Sequence, residues 1–494
     1  MLENQSARIA TMLRRSGIGT GAPVLLLHPA SAELYAVLIA IFRVGAVAMV
    51  VDLSAGRETL KAACAQLPPA ALFCSGRGLL FAVVNASLRP IRFKLTSARF
   101  APGGSRLADT AALPRSDRVA AVGGDAPALV TFTSGSTGAA KGAVRSHDVL
   151  GAQRIALGSV AAREGEVDVV SLPIVVLTNL AAGATSVIPD GDLSRPGAIA
   201  PGPVLAQIAR AGAQRITGSP ALVERLVSSA SGAEAADATL WGVKIVTGGG
   251  PVFPDLVARA TAVTGADLVA VYGSTEAEPI AHVSSAEVGA KEIAAMREGA
   301  GLIAGYPVRE TLVRIIPTTW SDAADVEGLL RAGKQTAAGT RGEIVVSGRH
   351  VVPGYLHGLG DAETKIRVGA VVWHRTGDVG YLDDVGRLWL LGRVRATITD
   401  AHGELHPFAV ECAARLILPG RRSVLVCHNG LRMLLVEGAL VAGEREALRT
   451  GLRWAKLDRL IEGVRIPLDR RHNSKVDYSA LAKLLNRVVP SAPA

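Results

Sequence analysis

What the chain lacks narrows its class first. Cysteine occurs four times in 494 residues, at Cys64, Cys74, Cys412 and Cys427. There is no CxxC spacing and no histidine at metal-ligand spacing. A disulfide scaffold and a zinc site are therefore not expected, and all four cysteines read as buried apolar fillers in a reducing, cytoplasmic compartment. Aromatic residues make up 4%, and no basic stretch is interleaved with them. The net charge of +10 thus comes without the stacking residues, zinc finger or basic helix that nucleic-acid binding uses. Long hydrophobic runs are missing too. Leu34 to Phe42 is followed by Arg43 and Gly45, far short of the roughly 18 to 20 residues of a membrane span. It reads as a buried helix leading to a buried strand, Ala46–Val51. The N-terminus has no basic-then-apolar secretory pattern, and there is no internal repeat or low-complexity tract.

What is present describes a folded chain of at least two domains: 49% hydrophobic and 19% charged residues over 494 positions. Short β-rich runs (Val24–Leu27, Ala128–Phe132, Val169–Leu172, Arg215–Thr217, Lys244–Thr247, Leu268–Tyr272) alternate with helical stretches such as Pro203–Ala211 and Pro254–Val263. That alternation predicts doubly wound, largely parallel α/β sheets. Ser105–Asp125 and Trp320–Thr340 are polar and broken and read as loops. After Val379 a hairpin, Gly380–Leu382 and Leu388–Leu391, leads to a small terminal domain, with the boundary placed at 392/393. From Val394 onward there are 16 Lys/Arg against 10 Asp/Glu, so +6 of the +10 lies there. A solvated charged face or a phosphate-bearing partner would both account for it.

The densest motif is Thr131-Phe132-Thr133-Ser134-Gly135-Ser136-Thr137-Gly138-Ala139-Ala140-Lys141-Gly142, directly after an apolar strand. Glycines allow close backbone approach, N–H groups and hydroxyls supply donors, and Lys141 supplies charge, as a phosphate requires. GxxxxGK[ST] cannot be laid over it, so it is not a Walker A loop. Further along stand Tyr272-Gly273-Ser274-Thr275-Glu276, Arg375-Thr376-Gly377-Asp378, Gly392-Arg393 and Arg471-His472-Asn473-Ser474-Lys475. Taken alone, each has a plain structural explanation: a connector, a helix-terminal carboxylate, an Asx turn, a surface lysine.

In this order and spacing, the motifs resemble those of the acyl-adenylate-forming superfamily, and the resemblance covers nearly the whole chain. It implies a large N-terminal domain, 1–392, of doubly wound sheets plus a distorted barrel, and a small α+β lid, 393–494, on a hinge. It also implies an ATP- and Mg²⁺-dependent conversion of a carboxylic acid to acyl-AMP. By that resemblance Thr133, Ser134, Gly135, Ser136, Thr137, Gly138 and Lys141 hold phosphates. Tyr272, Gly273 and Gly249 border the nucleotide, Thr275 bonds the α-phosphate, and Glu276 binds the metal. Asp378 and Arg393 meet the ribose, and Lys475 is the catalytic lysine. Ala140 stands where the family has proline, and Ser474 where it has glycine.

The acid is read from Ser171–Leu180, where amino-acid-activating relatives carry an aspartate to pair the substrate ammonium. Here Val175, Val176 and Leu177 stand instead. With Val176, Asn179, Gly248 and Gly249 as pocket residues, an apolar acid is expected; simple core packing of the valines is the alternative. The linker from Gly392 to Glu411 departs from the family pattern at Arg395, Ala396, Thr399 and His402. These departures, with Thr275-Glu276-Ala277-Glu278-Pro279, are similar to the olefin-biosynthesis β-lactone synthetases, which activate a β-hydroxy acid and close it on its own hydroxyl. Thioester formation with CoA or an acyl carrier protein is the second reading, and a relative that binds nucleotide without catalysis the third.

Overall fold

The computed structural model describes residues 1–52, 56–134, 140–230, 238–318, 323–333, 336–469 and 475–488. Two compact units emerge: Met1–Ile155 with Arg349–Lys365, and Ala156–Gly348 with Ile366–Ala494. Together they give the mixed α/β fold expected, with a large sheet-based part and a smaller C-terminal part.

The first unit is built on a seven-stranded sheet. Its order is Ser105–Arg106, Phe93–Thr96, Ala71–Cys74, Pro23–Leu27, Val47–Val51, Pro127–Ser134, Ala140–Ser146. All neighbours are parallel except the last pair. The central strands are continuous apolar runs, as strands covered on both faces must be. Leu25, Met49, Leu72 and Phe132 are fully buried in one core with Leu60 and Leu79 from the covering helices. The Leu34–Phe42 run is a helix, Ala32–Arg43, capped by Ser31, whose hydroxyl accepts from Leu34 N.

In the second unit one run of pairings carries two characters. Thr185–Val187, Val167–Val170, Arg215–Gly218, Lys244–Gly248 and Leu268–Ser274 are parallel. Ala277–Ser284, Leu302–Pro307, Leu388–Arg393, Val371–Leu382, Gly342–Ser347 and Leu312–Ile316 continue antiparallel. The antiparallel half, which the family resemblance casts as a distorted barrel, continues the strand order of the parallel half. The change of direction falls at the hairpin Leu268–Ser274/Ala277–Ser284, whose tip is Thr275-Glu276.

The C-terminal part has a three-stranded sheet, Ser423–His428, Leu431–Glu437 and Arg459–Val464. The helices Pro407–Ile417, Ala442–Gly451 and Tyr478–Val488 accompany it. The expected boundary at Arg393 lies inside the second unit, because helix Pro407–Ile417 packs on neighbouring elements. Cys412 Sγ lies 3.5 Å from Met296 Sδ, the Arg415 guanidinium sits 4.3 Å over the Phe253 ring, and Arg415 pairs with buried Asp255 at 3.4 Å. Gly392 has φ +129, and a Cβ there would stand 3.0 Å from Pro407 Cδ, so the linker leaves the strand where no side chain fits.

Three expectations need correction. Ser105–Asp125 is not all loop: it opens with an edge strand, Ser105–Arg106, and a 3₁₀ helix, Leu107–Ala112, in which Leu107 and Thr110 are buried. Trp320–Thr340 is not all loop: Ala323–Arg331 is helical, because Val326 and Leu330, four apart, pack on Ile316, Val345 and Trp373. Cys427 is exposed, unlike Cys64, Cys74 and Cys412; it sits at the turn end of the hairpin Ser423–His428/Leu431–Glu437, beyond the cover of the core. Among the described residues no helix is long and apolar enough to cross a membrane.

Candidate functional site

In the first unit the candidate phosphate loop joins two antiparallel strands, with Thr133 opposite Lys141 and Ser134 opposite Ala140. Gly135, Ser136, Thr137 and Gly138 lie outside the described residues. Lys141 is buried, its ammonium 3.7 Å from Glu363 and 5.7 Å from the centre of the Tyr355 ring. Gly360 supplies the space, since a Cβ there would meet Lys141 Nζ at 2.7 Å. An ammonium held this way is fixed in direction, unlike that of a surface lysine.

In the second unit the structure brings Tyr272, Asp378 and Arg393 together. Asp378 and Arg393 are opposite each other on paired antiparallel strands, the arrangement in which cross-strand ion pairs form. Arg393 Nε is 3.1 Å from Asp378 Oδ1, and the Tyr272 hydroxyl donates to Asp378 Oδ2 at 2.7 Å. Burial first, then the Asp378 charge, pushes the Tyr272 phenol well above its ordinary range, so it stays a donor. The Asp378 carboxylate raises the Arg393 guanidinium, and Glu276 and Tyr478 contribute to the same field. Thr376, to which sequence assigned no part, orders the turn. Its hydroxyl donates to Ile344 O at 2.8 Å and accepts from Asp378 N at 3.1 Å, and its carbonyl accepts from Arg393 Nη1 at 3.0 Å. A Thr two before an acid is the only signal that could have marked it.

Thr275 and Glu276 form the hairpin tip, half-buried, with Glu276 N donating to Ser274 Oγ at 3.3 Å. Among the described residues no group of three or more His, Cys, Asp or Glu could cage a metal. A lone carboxylate nevertheless suits Mg²⁺, which keeps waters and shares phosphate oxygens. Lys475 is held by its backbone. Its N–H donates to Asp469 Oδ1 at 3.0 Å and its carbonyl accepts from Asp469 N at 2.8 Å. Asp477 then caps helix Tyr478–Val488 by accepting from Ala480 N at 2.9 Å.

Beside this polar group lies a cavity of about 470 Å³, open solvent at its mouth included. Gly248, Gly249 and Gly273 line it, as does Val175. Val176 and Asn179 are buried outside its lining. Asn179 is spent elsewhere: its amide donates to Asp168 Oδ2 at 3.0 Å and Ser186 Oγ at 3.2 Å. Asp168 also accepts from Thr217 Oγ1 at 2.8 Å and lies 3.5 Å from Arg215 Nε; burial pushes its carboxyl above the usual range. Cavity walls that sequence did not assign include Leu157, Val160, Val246 and Val271, apolar residues from the end of one helix, the turn after it and two strands. Glu278 also lines it.

Comparisons with known proteins bear on the family and the fold. The family model described as AMP-binding enzyme matches residues 1–356. The chain is 32% identical to the olefin beta-lactone synthetase of Stenotrophomonas maltophilia, over 97% of this chain and 90% of that one. It is 29% identical to the indoleacetate–CoA ligase of Aromatoleum aromaticum, over 82% of this chain and 75% of that one. Among solved structures, the amide bond synthetase McbA of Marinactinospora thermotolerans superimposes with TM-score 0.78 at 23% identity, over 98% of this chain and 94% of that one; this likeness speaks for the fold.

Proposed function

The chain belongs to the AMP-binding enzyme family, an adenylate-forming ligase, and from that premise we propose that it activates an apolar β-hydroxy acid to acyl-AMP and then closes it to a β-lactone. The near full-length similarity to a protein named olefin beta-lactone synthetase carries the second step. The linker supports it. Where thioester-forming members have a glycine this chain has His402, in the turn of a short hairpin. Arg432 locks that turn, reaching Asp400 twice at 2.6 Å and Gly403 O at 2.7 Å.

In the first step the acid's carboxylate oxygen attacks the α-phosphorus in line, and pyrophosphate leaves. Two anions must be brought together, so the enzyme's main work is positioning and screening. Asp378 accepts the ribose hydroxyls, Arg393 holds Asp378 in place, and Thr275 donates to the α-phosphate. The phosphate loop keeps the role its resemblance gives it, with Lys141 as its cation. Glu276 would hold Mg²⁺, which would supply positive charge beside the phosphates. Lys475 bridges carboxylate and α-phosphate, and the part beyond Arg393 acts as a lid that carries it. Lys475→Ala should lower acyl-AMP formation about 100-fold or more while ATP still binds. Full activity in that variant would remove the lysine from the mechanism.

The thioester reading draws on the similarity to indoleacetate–CoA ligase. One experiment separates the two: AMP release from ATP with long-chain β-hydroxy and plain fatty acids, without thiol, products read by mass spectrometry. Sustained turnover giving a product one water lighter than the β-hydroxy acid supports lactone closure. Release that stalls near one equivalent per enzyme and resumes with CoA or a carrier protein supports the ligase.

A further inference from the structure

In the first unit the helix Gly76–Val84 connects the strands Ala71–Cys74 and Phe93–Thr96, close to one edge of the sheet. Its inner side is spent on the core, where Leu79 and Ala82 are buried. The outer side of a helix that covers a sheet is expected to be polar. Here Leu80, Val83 and Val84, spaced so that they share one face, are 70%, 54% and 80% exposed. Phe100 is 85% exposed. The helix opens against the segment that carries it, since a Cβ at Gly76 would stand 3.3 Å from Ala98 Cβ. Large apolar side chains exposed singly are ordinary, but a group of them at one edge marks an interaction surface.

The charge of the same segment is one-sided. Between Glu58 and Asp109 the chain carries seven Lys/Arg and no Asp or Glu. Two of the seven are engaged: Lys94 donates to Arg89 O and Ile91 O, and Arg106 pairs with Asp109. Arg77 lies on the helix, Arg89 and Arg92 follow it, and Arg99 adjoins Phe100; all four are exposed. None of the four forms an ion pair among the described residues. Apolar side chains flanked by open guanidinium groups fit a boundary that is apolar within and negative at its surface. A second copy of the chain fits less well. Two-fold pairing would set the patch against itself and bring the arginines against their own counterparts.

We propose that this edge of the first unit docks on the surface of an anionic lipid bilayer. Leu80, Val83, Val84 and Phe100 enter the boundary of the acyl chains, and the arginines meet lipid phosphates. The helix lies in the surface, because nine residues are far too few to span it. Docking of this kind holds whichever second step follows adenylation.

The test is flotation of the full chain with phosphatidylcholine vesicles, prepared with and without phosphatidylserine. The parent floats with the anionic vesicles and not with the neutral ones, and raising the salt from about 0.1 M to about 0.5 M releases it. Arg89→Gln/Arg92→Gln weakens binding roughly 25-fold, about fivefold for each basic residue near a charged surface. Leu80→Glu/Val84→Glu abolishes flotation, while ATP–pyrophosphate exchange in solution stays at the parent's level. A parent that floats with neither vesicle overturns the docking face, as do variants that float as well as the parent. A parent that forms a dimer in sedimentation, lost in Leu80→Glu/Val84→Glu without loss of flotation, makes the patch a protein interface and overturns it too. Should the double glutamate variant not fold, the arginine pair and the salt titration decide: binding indifferent to both overturns the assignment.

Discussion

The Tyr272–Asp378–Arg393 group and the apolar cavity of the second unit, proposed above as the nucleotide and acyl ends, are neighbours along the same strands but are built on opposite principles. At the nucleotide end three polar side chains satisfy one another: Asp378 takes Tyr272 on one oxygen and Arg393 on the other. The cavity is mostly bare backbone and methyl groups: three glycines, four valines and two leucines among its walls. Polar recognition fixes a single partner through bond geometry, whereas an apolar wall fixes only volume. Ruin of one polar contact should therefore be costly and indifferent to the acid, while a change of wall should be milder and depend on the acid's length.

The largest effect expected from that contrast is at Asp378. Asp378→Ala removes the acceptor for the ribose and leaves Arg393 without its main partner. Charge-assisted hydrogen bonds contribute about 1.5 to 3 kcal/mol each, so kcat/KM for ATP should fall roughly 100- to 1000-fold. ATP–pyrophosphate exchange measured with acids of several lengths checks this. A loss that varied with chain length would break the distinction between the two regions.

Val175→Phe probes the other side. The larger ring fills cavity volume, and a buried methylene is worth about 0.8 kcal/mol, close to fourfold in binding. Long acids should lose roughly 10- to 50-fold in kcat/KM, short ones little. The KM for ATP should stay within about twofold, as the ring adds nothing at the nucleotide end. Equal loss for all acids would mean that the acyl chain does not run past Val175.

The same contrast explains what was legible beforehand. The Asp378–Arg393 pair and the Thr275-Glu276 tip come from short contiguous motifs, because strands deliver polar groups to one point only at fixed spacing. The cavity gathers residues from several elements, and each is an ordinary core residue until the fold is known. Val175 and Val176 adjoin on helix Pro173–Ala182, and nothing in a run of valines says which one faces the open space. Asn179, expected at the pocket, gives its amide to buried Asp168, itself an acid inside the apolar strand Val167–Val170. Glu278 stood in view within the Thr275–Pro279 run, but its place in the cavity came only with the hairpin. Helix Ala323–Arg331 was missed for a similar reason, its two anchoring residues lying in a stretch that is otherwise polar.

The smallest change, and the sharpest test of the polar side, is Tyr272→Phe. The ring stays and only the 2.7 Å bond to Asp378 is lost. Asp378 keeps Arg393, so no buried charge is left alone, and the loss is limited to one hydrogen bond of about 1 to 2 kcal/mol. The KM for ATP should rise roughly 5- to 20-fold, alike for every acid, and kcat should change less, since the bond orients the nucleotide and does not touch the reacting phosphorus. Adenosine analogues separate the contributions. If the hydroxyl acts by aiming Asp378 at the ribose, 2′-deoxy-ATP should show a much smaller difference between parent and variant than ATP does. An equal difference with both nucleotides would mean that Tyr272 acts on the base through its ring surroundings, and that the ribose is held by Asp378 and Arg393 without its help.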